Sequence, residues 1–183
     1  MSLLYSLLKP IVRKVVKGSS LHQEESYEEF KQESYDVQKK FKFKLPSLRG
    51  YEFRDEQLDG FHIIVGKKAG SEPDRAVVYF PGGGSRRWQL PFKGSIKRYI
   101  SETGAELWIP LYPLLPDYDL MDETEFTIRV HERMLRRFKP ENIVWPVFTF
   151  VKEGRDGERE IIEDIRRYYA SRCVWNGQGS VSR

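Results

Sequence analysis

Three consecutive glycines, Gly82, Gly83 and Gly84, stand directly behind the apolar run Ala76-Val-Val-Tyr-Phe and Pro81. A continuous apolar run of that length marks a strand covered on both faces. A loop without side chains at its end lets backbone N–H groups approach a negatively charged oxygen unobstructed. Two anions suit such a loop. A phosphate calls for a Gly-Lys-Ser/Thr sequence or for Gly-x-Gly-x-x-Gly, and the chain has neither. An oxyanion of an acyl-transfer intermediate needs only two well-aimed N–H donors. On the glycines alone, a tight turn with no ligand remains open, and a nucleotide-binding module is a third reading.

Other reactive side chains are sparse. Cys173 is the only cysteine, which excludes a disulfide framework and a thiolate metal cluster. His22, His62 and His131 lie far apart with no ligand-type spacing, so neither a metal nor a cofactor is expected. Arg129, Arg133, Arg136, Arg137 and Lys139 could suggest a nucleic-acid helix. They are balanced by Asp122, Glu123, Glu125 and Glu132 and accompanied by no stacking platform, so a solvated face is expected and no nucleic-acid partner.

The elements that would hold the loop can be read from periodicity. Leu3, Leu7, Ile11 and Val15, with Leu4, Leu8, Val12 and Val16, form one helical stripe edged by Lys9, Arg13, Lys14 and Lys17. Such a basic amphipathic helix suits a membrane surface or, more commonly, the body of its own protein. Tyr27, Phe30, Ser34, Val37 and Phe41 mark a second helix with a narrow buried face. Tyr51-Glu-Phe-Arg and Phe61-His-Ile-Ile-Val read as strands joined at Asp59-Gly60, a hairpin-type turn. After the glycine loop, Phe92, Ile96, Tyr99 and Ile100 give a helix closed by Gly104. Leu107-Trp-Ile-Pro-Leu-Tyr is a buried strand. Asp122 with Glu125 resembles a capping box for a helix bearing Phe126, Val130, Met134 and Phe138, and Pro140 stops it. Ile143-Val-Trp opens one more strand, and residues 158–170 form a final helix with Ile161, Ile165, Tyr168 and Tyr169 on one face. Strands alternating with helices over short connections predict an α/β fold: parallel strands with right-handed crossover helices, and an antiparallel pair at one sheet edge.

The chain has 183 residues, 39% hydrophobic, 32% charged and 14% aromatic, with a net charge of +4. That length makes about one domain and a self-sufficient core. The aromatics argue against wholesale disorder, and the charge argues against a membrane-spanning protein. The apolar start lacks a basic segment before it and a small-residue cleavage site, so a soluble, cytoplasmic protein is expected.

Val78-Tyr79-Phe80-Pro81-Gly82-Gly83-Gly84 resembles the His-Gly-Gly-Gly loop of the hormone-sensitive-lipase-like branch of the α/β-hydrolases. Gly104 to Leu114 with Pro116 is similar to that family's next strand and its Tyr-x-Leu-x-Pro exit. Pro140 to Trp145 resembles the strand leading to the nucleophile elbow. The resemblance implies a carboxylic ester hydrolase (esterase or lipase type) acting on a small ester substrate through a Ser, an Asp or Glu, and a His. It implies Gly83 and Gly84 as oxyanion-hole donors, with Pro81, Gly82 and Ser85 supporting the loop. The domain reading that follows is a helical N-terminal extension or cap over 1–46, a partial α/β-hydrolase domain over 47–170, and a disordered tail over 171–183.

Two departures stand out. Pro81 occupies the place of the family's His, and after Trp145 the chain reads Pro146-Val-Phe-Thr-Phe-Val-Lys-Glu-Gly where the family has Gly-x-Ser-x-Gly. No later segment repairs this, since Gly177-Gln-Gly-Ser180 has the wrong order, and no His follows His131. No catalytic residue is therefore retained, and the chain is expected to be inactive alone. The break is abrupt and in mid-strand, so an altered reading frame or gene end is expected, with the elbow motif encoded downstream of codon 145 in another frame. The rival is a short protein that binds or regulates, pairing through its open sheet edge. With Trp145, Val147 and Phe148 left without a neighbouring strand, self-association through that edge is expected.

Overall fold

A computed structural model describes residues 26–145 and 162–170. The helix expected over Leu3 to Val16, the segment 146–161 with Val147 and Phe148, and the tail from Ser171 with Cys173 and Ser180 lie outside the described residues.

Helix α1 (Tyr27–Lys39) begins at Ser26, whose hydroxyl accepts from the Glu29 N–H while the Glu29 carboxylate accepts from the Ser26 N–H. Two otherwise orphaned donors are thereby satisfied. Strands β1 (Tyr51–Leu58) and β2 (Phe61–Lys68) pair antiparallel along their whole length. Asp59 and Gly60 both have positive φ, 53° and 83°, as a two-residue type I′ turn requires. Strand β3 (Ala76–Val78) leads to the glycine loop, and helix α2 (Lys93–Thr103) ends at Gly104 in the left-handed region, its N–H donating to the Ile100 carbonyl. Strand β4 (Glu106–Pro110), helix α3 (Leu120–Leu135) and strand β5 (Ile143–Val144) follow, and residues 162–170 form a helix, α4.

The sheet order is β1-β2-β4-β3-β5, with β2 antiparallel to both of its neighbours β1 and β4, and β4, β3 and β5 parallel. The period of two sends alternate side chains to opposite faces. Ile63, Val65, Val78 and Trp108 pack with Phe126, Val130, Met134 and Phe138 from α3 and the turn after it. Ile64, Val77, Leu107 and Ile109 pack with Ile96, Tyr99 and Ile100 of α2 and with Ile162, Ile165 and Tyr169 of α4. The sheet is therefore the middle of three layers, as the apolar runs predicted.

Four local expectations are corrected. The α3 cap is Asp119, which accepts from Met121 and Asp122 while Asp122 answers as the third helical residue, so the helix starts before Asp122. Phe92 is the α2 cap residue and 84% exposed, because it precedes the first turn that faces the sheet. In α4 the buried positions are Ile162, Ile165 and Tyr169, while Tyr168 turns outward. Trp145 has neighbours: it stacks on Phe80 at 5.3 Å and donates from Nε1 to His131 Nδ1 at 3.2 Å.

The basic face of α3 is more than solvated. Arg129 pairs with Asp59 at 2.8 Å, and Arg133 donates to the Gln57 carbonyl. Arg137 and Arg54 converge on Glu106, a carboxylate 1% exposed that also accepts from Trp108 Nε1 at 2.8 Å. A buried carboxylate persists when its oxygens are filled by charged and neutral donors.

Candidate functional site

The C-terminal ends of parallel strands are where open α/β sheets gather their ligands, and the glycine loop emerges there from β3. Its path is fixed by bonds at both ends. Tyr79 N–H continues the ladder to the Trp108 carbonyl at 2.7 Å. The Tyr112 hydroxyl donates to the Pro81 carbonyl at 2.7 Å, and Trp88 Nε1 donates to the Tyr112 carbonyl at 2.8 Å. Gln89 N–H reaches Gly82 O at 2.8 Å, Arg86 N–H reaches Gly83 O at 3.3 Å, and Leu115 N–H reaches Ser85 O at 2.8 Å.

Within this frame Gly83 has φ 131°, Gly84 61° and Ser85 56°. Three successive positive values turn the chain sharply enough to expose amides that a strand or helix would consume. Among the described residues, the N–H groups of Gly83 and Gly84 donate to no backbone carbonyl. Each expected residue thus has a place. Pro81 is buried and offers its carbonyl to Tyr112, Gly82 bridges to Gln89, Gly83 and Gly84 form the turn, and Ser85 lines the cleft beyond it.

That cleft, of about 250 Å³, lies between the loop and α3, walled by Phe80, Tyr112 and Thr127 beside Gly84, Ser85 and Glu123. Burial raises the pKa of Glu123, and the Ser85 hydroxyl opposes that shift. Glu123 Oε1 is buried with no hydrogen-bond partner. Burial first, and the Glu123 charge second, push the Tyr112 phenol up to about 12.

Helix α1 grips the outer side of the loop, a role its sequence did not announce. Gln38 Nε2 donates to the carbonyls of Arg86 and Leu115 at 3.0 and 2.6 Å. Arg86 donates to the buried Ser34 hydroxyl at 3.1 Å, pairs with Glu33 at 3.0 Å and lies over the Phe30 ring. Ser34, one step of the apolar stripe in sequence, is buried because it is a hydrogen-bond station.

Neither described histidine completes a nucleophile–base pair. His62 Nδ1 meets Asp55 at 2.7 Å and its ring stacks on Phe43 at 3.7 Å, while His131 is engaged by Trp145. No described hydroxyl or thiol bonds either ring. Among the described residues no cluster of three or more His, Cys, Asp or Glu is arranged to hold a metal, and no helix is long and apolar enough to cross a membrane.

No protein-family model and no curated protein matches the chain. Solved structures do match. A candidate esterase from Staphylococcus aureus superposes with a TM-score of 0.57 at 22% identity over 72% of this chain and 47% of that one. The fold is a partial α/β-hydrolase fold. An esterase/lipase from an uncultured bacterium matches with a TM-score of 0.49 at 17% identity, covering 79% of this chain and 47% of that one. An esterase from the bacterial hormone-sensitive lipase family matches with a TM-score of 0.46 at 12% identity over the same shares. The chain spans about half the length of these matching structures.

Proposed function

We propose that this α/β-hydrolase chain supplies the oxyanion-binding part of a serine-type carboxylic ester hydrolase, and that it is catalytically incomplete by itself. The observation that carries this reading is the pair of unengaged N–H groups at Gly83 and Gly84, held by the Tyr112–Pro81 and Gln89–Gly82 bonds. A donor pair preorganised in this way is suited to the charge that develops on an ester carbonyl oxygen as it becomes tetrahedral. One such donor contributes on the order of 10²–10³ in rate where a complete site exists. The proton and acyl steps need a nucleophile and a base. The segment after Trp145 has no Gly-x-Ser-x-Gly, and no His follows His131. An oxyanion hole without those partners retains only a small residual acceleration.

The decisive measurement is mass spectrometry of the full chain after treatment with a serine-directed fluorophosphonate. No adduct is expected. A stoichiometric adduct on Ser85 or Ser180 would overturn the reading.

A second reading, a binding or regulatory protein that pairs through its sheet edge, is favoured by a separate observation. Strand β5 is the edge of the sheet among the described residues, and Met121, Ile128 and Leu135 lie exposed at seven-residue spacing along α3. An unpaired edge beside an exposed apolar stripe suits association with another chain.

A further inference from the structure

The cleft between the glycine loop and α3 contains one group that neither the fold nor acyl transfer requires. Glu123 projects into it from the first turn of α3, and its Oε1 is buried without a hydrogen-bond partner. The groups that face this carboxyl are the Tyr112 phenol after β4, the Ser85 hydroxyl of the loop and Thr127 one turn along its own helix. The Tyr112 proton is committed to the Pro81 carbonyl. No Lys or Arg pairs with Glu123 among the described residues. A carboxyl oxygen buried in that position is stabilised by gaining a proton or a partner.

The chemistry of the other lining groups selects the partner. The Ser85 hydroxyl is taken up by Glu123. Gly84 N–H, the Thr127 hydroxyl and the N-terminal turn of α3 present donors or positive dipole, which favours a ligand carrying acceptor oxygens and disfavours an ammonium group. Glu123 itself calls for a proton between it and that ligand. Both demands are met by a carboxylic acid. A volume of about 250 Å³ lies below the range of roughly 300–1,000 Å³ typical of drug-sized ligands, so the ligand has few heavy atoms. Phe80 and Tyr112 offer rings against which a short alkyl chain can pack.

We propose that this cleft binds a short-chain monocarboxylic acid, with one proton shared between the ligand carboxyl and that of Glu123. When both carboxyls are ionised in the free state, binding takes that proton up from solvent, as in any pair of carboxyls too close to ionise together. The burial that already raises Glu123 acts in the same direction. The site shares the Gly84 donor with the proposed oxyanion hole and in that respect rests on the ester-hydrolase reading, but it needs no nucleophile, so the proton count and the phosphonate adduct fail separately.

The test is calorimetric titration of butyrate into the full chain at pH 5.5 and pH 7.0, in buffers of different ionisation heat. Saturable binding is expected at pH 5.5. Where both groups are ionised, affinity falls by about tenfold per pH unit, and the buffer dependence gives close to one proton taken up per butyrate. Glu123→Gln, verified as folded by circular dichroism, is expected to lose the pH slope. The proton count in the unaltered chain keeps the proposal testable if that variant fails to fold. Absence of saturable heat with butyrate at pH 5.5, an uptake near zero, an unchanged slope in folded E123Q, or tighter binding of butylamine than of butyrate at pH 7.0 would each overturn it. A phosphonate adduct would refute the inactive-alone reading without altering the proton count.

Discussion

Gly83 and Gly84 are neighbours with the same side chain and opposite tolerances, and that contrast tests the loop geometry directly. A Cβ built on Gly83 would lie 2.1 Å from the Arg87 carbonyl oxygen and 2.8 Å from Arg87 Cγ, at a φ of +131°. A Cβ on Gly84, at φ +61°, would meet nothing within 4 Å. Gly84→Ala therefore costs little beyond placing an L-residue in the left-handed region, about 1–2 kcal/mol. Gly83→Ala adds backbone strain of about 1–3 kcal/mol to an overlap of about 1–3 kcal/mol, on the order of 2–6 kcal/mol together. The clash is with a carbonyl, so no rotamer change relieves it. Relief requires moving residues 83–87, which breaks Arg86 N–H to Gly83 O and strains Gln89 N–H to Gly82 O. Urea unfolding of both variants gives the two free energies, and amide exchange at Arg86 and Gln89 shows whether the loop has moved. G83A is expected to be the less stable, with faster exchange at both amides. Equal stability, or a G84A variant worse than G83A, would refute the loop path described above.

Tyr112 gives a pH signature. Its phenol ionises near pH 10 when unfolded and at about 12 when folded, so the folded state holds the proton more tightly. Its contribution is whole below pH 10 and is lost at about 1.4 kcal/mol per unit as pH rises to 12. Tyr112→Phe should remove that part of the alkaline slope and cost about 1 kcal/mol at neutral pH through the lost bond to Pro81; urea unfolding between pH 7 and 11 checks both, and an unchanged slope would refute the assignment. For the sheet-edge reading, the full chain should sediment as an oligomer, and the pair Ile128→Glu with Leu135→Glu should shift it toward monomer. A chain that already sediments as a monomer at micromolar concentration would dismiss that surface.

The periodicities written within a few residues of one another determined most of the scaffold. The apolar runs at Ala76 and Leu107 place strands covered on both faces, the Asp59-Gly60 pair makes its hairpin, and Gly104 ends α2. The glycines at 82–84 also announced a sharp loop at the end of β3, since a lack of side chains is legible without coordinates. Choices between equivalent local signals were not legible. Asp119/Asp122 and Asp122/Glu125 offer the same spacing, and only the path of the chain leaving β4 selects the first as the cap. Tertiary structure alone placed β4 between β2 and β3. It also brought Arg54 and Arg137 to Glu106, the Tyr112 hydroxyl back to Pro81, and Gln38 across to Leu115. Glu123 read as one more surface acid on a charged helix, and it became a cleft residue because the glycine loop lies over its end of α3. Hydrogen bonds and burial across tens of residues depend on strand order and on which helix face meets the sheet, and composition and spacing do not encode either one.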